Sequence, residues 1–579
     1  MKASNKKALG KFLTTVAILI VINFISQIIF KRFDLTSDSR YTLSAVSHQI
    51  IENVTEPLVI DVLLDGTFPA EFKRLQYETK QMLEEFSAYN SNIQFTFVNP
   101  LEDTEGKQQD EVTQELFDLG LKPITVTVDD KGKQSQQLVF PWAIANYGEK
   151  SAKIQLLKNM MGATTQEKVI SSVQHLEYAI AEAIQKVVNE KTKKIAIIKG
   201  IGQLHELQIA DFLTNVRENY NIAPFTLDSV ATNPNKTLEQ LKEYDLIVVA
   251  KPTIAFTDKQ KLVLDQYMVN GGKSLWLVDA VQADMDSLYN ENGSMLAYPR
   301  NLNLDDFFFK QGIRIKPMLI KDEYATPIKL ATGEMGSQTQ YEQYPWKLAP
   351  YVYPAKTYVK DTLNITAESF DYHPIVKNID GIKFDFANPI EILKGKLKKT
   401  ILLTSSEYSR AIGTPFPVSL EMVDEEQPDP SEYSNGMIPL AVLVEGDFES
   451  MYKNRVLPFK YPNYTEKGNK EGKMIVISDG DIIKNQIDQN GIPRELGYDY
   501  FTSILFGNKD LVLNSVNYLL DDVGLLDIRS KDVSLPLLDK EKVYKNYTSI
   551  QVITITIPIV IILIFGIIFI YSRKKMYVK

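Results

Sequence analysis

Residues 194–203 read KIAIIKGIGQ, a short apolar run closed by two glycines. Apolar residues in succession predict a strand buried on both faces, and the glycines predict a tight turn at its carboxyl end. A helical pattern follows from about Leu204 to Tyr220, and the alternation then repeats. Strand Glu243–Ala250 (EYDLIVVA) leads to a helix over Asp258–Val269, a turn at Asn270-Gly271-Gly272, and strand Ser274–Asp279 (SLWLVD). Strands alternating with helices predict a parallel sheet covered on both faces. Further strands are expected at Thr400–Thr404, Pro439–Glu445 and Lys473–Ser478, with a closing helix over Lys509–Leu520. Residues 193–525 are therefore read as one doubly wound α/β domain, of the flavodoxin or class I amidotransferase kind, with a large β-rich insertion at about 280–398 that is rich in Tyr and Pro.

Upstream, residues 31–150 form a smaller α/β unit. Its expected elements are a helix over Leu43–Asn53, strand Leu58–Leu64, helix Ala70–Tyr89, strand Ile93–Val98, a helix near Asp110–Asp118, and strands Ile124–Val128 and Gln137–Phe140. The order β-α-β-α-β-β resembles a thioredoxin-like fold, although a chain without cysteine cannot perform thiol redox chemistry. Residues 151–192 link the two units through a helix over about Thr165–Asn189, where Ile170, Val173, Leu176, Ile180 and Ile184 repeat at helical spacing. His175 in this helix has no second histidine nearby to make a zinc-type pair.

Two long apolar runs bracket the whole. Residues 12–30 and 550–571 carry no charge, and each is long enough to cross a bilayer as a helix. Pro558 and Gly566 are tolerated in membrane helices, and the polar Asn23 and Gln27 point to packing against a neighbouring helix. Lys2, Lys6, Lys7 and Lys11 precede the first run, against Lys31, Arg32 and Arg40 after it. Arg573, Lys574, Lys575 and Lys579 follow the last, against Lys540, Lys542 and Lys545 before it. Both comparisons place the tails, 1–11 and 572–579, in the cytoplasm. The expectation is a two-pass protein of a bacterial inner membrane, with a large periplasmic domain and a tether at 526–549.

Charge and motifs narrow the function. A net charge of −9 over 579 residues argues against a nucleic-acid partner. Gly272-Lys273-Ser274 imitates a P-loop but follows a helix and opens a strand, and Tyr267 occupies the place of the required earlier glycine. Gly200-Ile201-Gly202 imitates a dinucleotide fingerprint, yet His205 replaces its third glycine. That loop still lies where open α/β sheets bind ligands, so Gly200, Gly202, Gln203, His205 and Glu206 are the candidate cleft. Ser478-Asp479-Gly480-Asp481 reads as a polar strand-end turn, because the oxygen spacing of a calcium loop is missing. Four histidines, no cysteine and no nucleophile elbow leave no catalytic constellation, so neither an enzyme nor a cofactor is expected.

Several short stretches, in one order along nearly the whole chain, carry a resemblance. They include Arg40-Tyr41-Thr42-Leu43-Ser44, Gln174-His175-Leu176-Glu177-Tyr178, Asn270-Gly271-Gly272-Lys273, His373-Pro374-Ile375, Gly446-Asp447-Phe448, Lys473–Asp481, Gly507-Asn508-Lys509-Asp510 and Arg529-Ser530-Lys531. Together they resemble the GldG family, membrane-anchored auxiliary subunits of ABC transporters associated with gliding motility in Bacteroidetes. The resemblance implies a partner permease, a separate cytoplasmic ABC ATPase, and a domain from 193 onward that is similar to one in an intraflagellar transport subunit. Members often carry Gly-His-Gly-Glu where this chain has Gly200-Ile201-Gly202-Gln203, which weakens any case for chemistry in the loop. The leading expectation is a non-catalytic accessory subunit, beside its permease, that passes ATP-driven movement to its extracytoplasmic domains; homo-oligomerisation within the complex stays open. The alternative is a periplasmic receptor module for a solute or an envelope polymer. A hydrolase using Gln203 to Glu206 is the third.

Overall fold

The computed structural model describes residues 12–23, 34, 36 and 40–577, apart from 103, 105, 131–132, 161, 336–337, 355–372, 426–428, 434–435, 522 and 531–539. They divide into two units at Asp532/Val533.

The first unit opens with an apolar helix, α1 (Phe12–Asn23). The expected span at 12–30 is described only to Asn23, and Gln27 lies outside the described residues. Next come α2 (Ala45–Glu52), β1 (Leu58–Val62), α3 (Ala70–Tyr89), β2 (Ile93–Phe97), α4 (Lys107–Asp118), β3 (Ile124–Asp130), β4 (Lys133–Val139), β5 (Trp142–Tyr147) and β6 (Lys150–Gln155). The sheet order is β2-β1-β5-β6, with β1 parallel to β2 and antiparallel to β5, and β6 antiparallel to β5. This corrects the sequence reading. β3 and β4, expected to complete the sheet, pair with each other as a separate hairpin, and the strands that complete it were passed over. Alternating residues mark a strand but not its partner.

Helix α5 (Thr165–Val188) packs against this sheet and joins it to the next domain. Its start is fixed by a capping box, in which Thr164 accepts from the Glu167 amide while the Glu167 carboxylate accepts from Thr164 N. Glu177, buried on α5, accepts from Ser44 N at 2.6 Å and Ser47 Oγ at 2.8 Å, tying α2 to the helix.

The large domain contains β7 (Lys194–Lys199), α6 (Ala210–Asn219), β8 (Asn221–Thr226), α7 (Pro234–Leu241), β9 (Leu246–Ala250), α8 (Asp258–Val269) and β10 (Lys273–Leu277). An excursion holding α9 (Asp305–Lys310) and strands of several small sheets, two of them completed by strands at Ser409–Gly413 and Phe416–Ser419, precedes β11 (Lys398–Thr404), and β12 (Pro439–Gly446), β13 (Gly472–Ile477) and α10 (Asn508–Leu520) follow. The seven-stranded order is β11-β12-β13-β10-β9-β7-β8. Five strands, β8-β7-β9-β10-β13, are parallel, and β12 is antiparallel to both of its neighbours. Residues of opposite faces feed separate cores. Ile195, Ile197, Val248 and Leu275 belong to one, and Ala196, Ile198, Val249 and Trp276 to the other, so the sheet is covered on both sides. β8, unforeseen in the sequence, contains Pro224, which an edge strand accommodates.

Within the excursion, strands Ala325–Met335 and Gln338–Val352 form a hairpin. Residues 338–343 are exposed, whereas Trp346, Leu348 and Ala349 are buried near its base. The expected tether does not begin at 526: residues Leu525–Ser530 form a 3₁₀ turn with Leu525, Leu526 and Ile528 buried against the body.

The second unit comprises α11 (Lys540–Lys545) and α12 (Tyr547–Tyr577). Residues Tyr547–Lys575 make the one helix, among the described residues, that is long and apolar enough to cross a membrane. Pro558 lies inside it, and Gly566 opens onto free space.

Candidate functional site: a buried ion cluster

Strand order reverses between β7 and β9, so the carboxyl ends of these strands and their neighbours define the edge where such sheets hold ligands. The Gly200 loop leaves β7 at this edge. Gly200 has φ +82, and a Cβ there would come within 2.5 Å of Asp228 Oδ1. Gly202 has φ +67, and its Cβ would meet Thr253 Oγ1 at 2.1 Å. The loop is stitched to the chain leaving β9, because Thr253 N and Ile254 N donate to Ile201 O and Thr253 Oγ1 donates to Gly202 O. Its side chains serve the same turn: Gln203 Oε1 accepts from Ile201 N, and His205 caps the short helix at Glu206–Ile209 through Leu207 N. Glu206 is exposed and pairs with Lys199 at 3.5 Å. The structure thus gathers the predicted cleft residues in one loop, with Gln203 and His205 bonded to backbone.

The charged groups of the edge lie deeper. Lys251, just past β9, is 4% exposed and holds φ +49. Its Nζ donates to Asp481 Oδ2 at 2.6 Å and Asp284 Oδ2 at 3.1 Å, and stands 3.6 Å from Asp279 Oδ2. Asp279 and Asp481 follow β10 and β13. Gly480 lets this arrangement close, since a Cβ there would come within 2.5 Å of Lys251 Cγ, and its N–H donates to Asp279. Asp479, fully buried, accepts from Asp481 N at 2.7 Å and from Asp385 N at 2.6 Å. The excursion therefore returns to the same edge, where Asn388 also accepts from Ala280 N and donates from its own backbone to Ser478 O. Lys484 forms an outer layer, 3.7 Å from Asp284, 3.3 Å from Asp286 and 3.9 Å from Asp481.

Burial and charge act against each other here. Burial favours the neutral amine of Lys251, but Asp481, Asp279 and Asp284 outweigh it and raise its pKa. Burial pushes the Asp279 carboxyl up to about 6 despite Lys251, and raises Asp479 well above the usual range. Burial also raises Asp284, yet Lys251 and Lys484 hold it below its ordinary value. The result is an internal ion network with its cation supplied by the chain itself. Among the described residues, no group of three or more His, Asp or Glu is placed to hold a metal ion.

Asp479 and Asp481 do lie in the polar strand-end turn that the sequence predicts, but the sequence reading does not include their partners, the buried Lys251 and Asp279 and the half-buried Asp284. The available signal was positional: Ala250-Lys251, Val278-Asp279 and Ser478-Asp479 each place a charge directly after an apolar strand. Asn270-Gly271-Gly272-Lys273 is the helix-ending turn its spacing suggested, with Gly271 at φ +87 and a Gly272 Cβ blocked by the Tyr267 ring at 2.4 Å.

Comparison with known proteins gives this edge its setting. The chain is 22% identical over 585 aligned positions to an uncharacterized protein of Borreliella burgdorferi, covering 99% of each. A solved structure, the mmIFT52 N-terminal domain, matches with a TM-score of 0.30 at 11% identity, over 59% of this chain and 100% of that one. Residues 37–146 match a domain of unknown function, DUF7088. Residues 192–515, more than half of the chain and the whole of the seven-stranded sheet, match the family described as "ABC-type uncharacterized transport system", and the chain belongs to that family.

Proposed function

We propose that this protein is a non-catalytic accessory subunit of an ABC transport complex, fixed beside a permease and carrying movement of the membrane-spanning subunits into its α/β domains. One observation carries the proposal: the transport-family match over 192–515 stands on the same chain as an apolar helix, Tyr547–Lys575, of membrane-spanning length. The proposal extends to a second anchor at residues 12–30, both termini in the cytoplasm of a bacterial inner membrane, and a periplasmic body. The apolar Phe12–Asn23 helix and the lysine distribution support it. The smaller domain is proposed to be thioredoxin-like in fold, supported by its strand order and directions. Gliding motility is proposed as the process served, on the stretches shared with the GldG family.

The role of the ion cluster in this reading is mechanical. Salt-bridged strand ends make the sheet edge a stiff element, through which displacement passes without loss to local bending. The test is purification of the full chain from native membranes. A permease and an ATPase should copurify in fixed ratio, and a protein that leaves the membrane alone under several mild detergents would refute the assignment.

A further inference from the structure

Beside the buried cluster, the outer surface of the same edge carries a strip of exposed apolar side chains. Tyr289 is 64% exposed, Phe501 49%, Tyr500 50%, Ile487 41% and Ile492 57%. They are neighbours. The Tyr289 and Phe501 rings lie 6.4 Å apart and the Tyr500 and Phe501 rings 5.9 Å, while Tyr500 N donates to Gln486 Oε1 beside Ile487. Ile487 in turn bridges to Pro493, next to Ile492. Aromatic side chains grouped this way are enriched at the centres of protein interfaces.

The charges at the two ends of the strip are opposite. At the Tyr289 end, Asp286 is 75% exposed and its partner Lys484, 22% exposed, lies beneath it. At the Ile492 end the order is reversed: Arg494 is 44% exposed and stands outside Asp488, which is 8% exposed. Lys122 likewise lies outside Glu495 at that end, 57% against 30% exposed. An apolar centre between an outward anion and outward cations is complementary to itself under a two-fold rotation, which brings each acidic end onto a basic end and ring onto ring.

We infer that this strip is a self-association surface, occupied by a second copy of the chain in an isologous pair. The inference does not depend on the transport reading. A lone copy that still copurifies with a permease would remove the former and leave the latter.

The chain has no cysteine, so an introduced one reports only on its own position. In native membranes, Phe501→Cys under mild oxidation should give a disulfide-linked dimer. Val456→Cys, at a position 93% exposed and outside the strip, should give at least fivefold less. Asp286→Arg in the Phe501→Cys background should cut the dimer at least fivefold, and adding Arg494→Asp should restore at least half of it. Because Phe501→Cys removes a ring, the mass of the full wild-type chain in lipid nanodiscs is measured as well and should correspond to two copies. Equal yields from both cysteines, a yield indifferent to the charge changes, a single-copy mass at every concentration, or cross-links only to a different protein would each overturn the inference.

Discussion

At the scale of single residues, the decisive feature is a lysine that replaces solvent for several carboxylates. Removing one member of a buried charge group leaves the others uncompensated, which costs more than the group's net contribution, typically about 3–5 kcal/mol. Lys251→Met should therefore lower stability by roughly that amount, read from denaturant unfolding of the full chain in detergent. Pairing it with Asp481→Asn should recover part of the loss, since one of the abandoned anions is then gone. Asp279 supplies a pH test of the same group. Its folded pKa is raised to about 6, against about 3.9 for an unfolded aspartate. Below the lower value both states hold the proton. As pH rises, the unfolded chain loses it first, and the stability contributed by the protonated carboxyl disappears through pH 6. Wild type should thus gain stability relative to Asp279→Asn when pH falls from about 7 to about 5, with melting temperatures of the two proteins as the measurement. A gain in the opposite direction would mean that Asp279 is held ionised.

At the scale of elements, α12 makes the sharpest prediction. Pro558 has no N–H, so the carbonyl one turn earlier loses its helical donor, and a proline inside a helix is retained more readily in a membrane than in water. Thr554 Oγ1, in that preceding turn, donates back to Ile550 O at 2.6 Å. Pro558→Leu should leave the helix embedded, by resistance to alkaline extraction, while reducing copurification of membrane partners. Normal copurification with failed insertion would reverse the assignment. Elements of this kind were plain in the sequence, because period and punctuation coincide: α8 runs from Asp258 to Val269 as its pattern requires, opened by a Thr257–Gln260 capping box and closed at Asn270-Gly271. Partners were not plain. The stretch ITVTV gives the same alternation whether it enters the main sheet or, as β3 does, a private hairpin. The ion cluster stayed hidden for a related reason. Its central members, Lys251, Asp279 and Asp481, follow the ends of β9, β10 and β13, and only the parallel register brings those ends together.

At the scale of the molecule, the question is how the body is held at its last described residues, since the described residues before Asp532 form one compact unit. Arg529 is 3% exposed. Its guanidinium lies 5.2 Å from the centre of the Tyr178 ring on α5, and its Nη2 donates to Lys377 O at 2.7 Å, in the segment that follows His373-Pro374-Ile375. Lys158 Nζ donates to the next carbonyl, Asn378 O. One residue thus joins the long linking helix, the excursion and the 3₁₀ turn at the end of the body. Arg529→Lys keeps the charge but loses the planar group that stacks and donates sideways, so a cost of about 1–3 kcal/mol is expected. Arg529→Met should cost more, because the Lys377 carbonyl then loses its guanidinium donor in a buried setting. Loss of stability alone would be an ordinary packing effect. If the joint transmits movement, Arg529→Lys should still copurify with its membrane partners, and ATP hydrolysis in the assembled complex should continue. Transport should fall several-fold at a temperature well below the unfolding midpoint. Parallel loss of transport and assembly, or full transport in Arg529→Met, would show that the joint only holds the fold together.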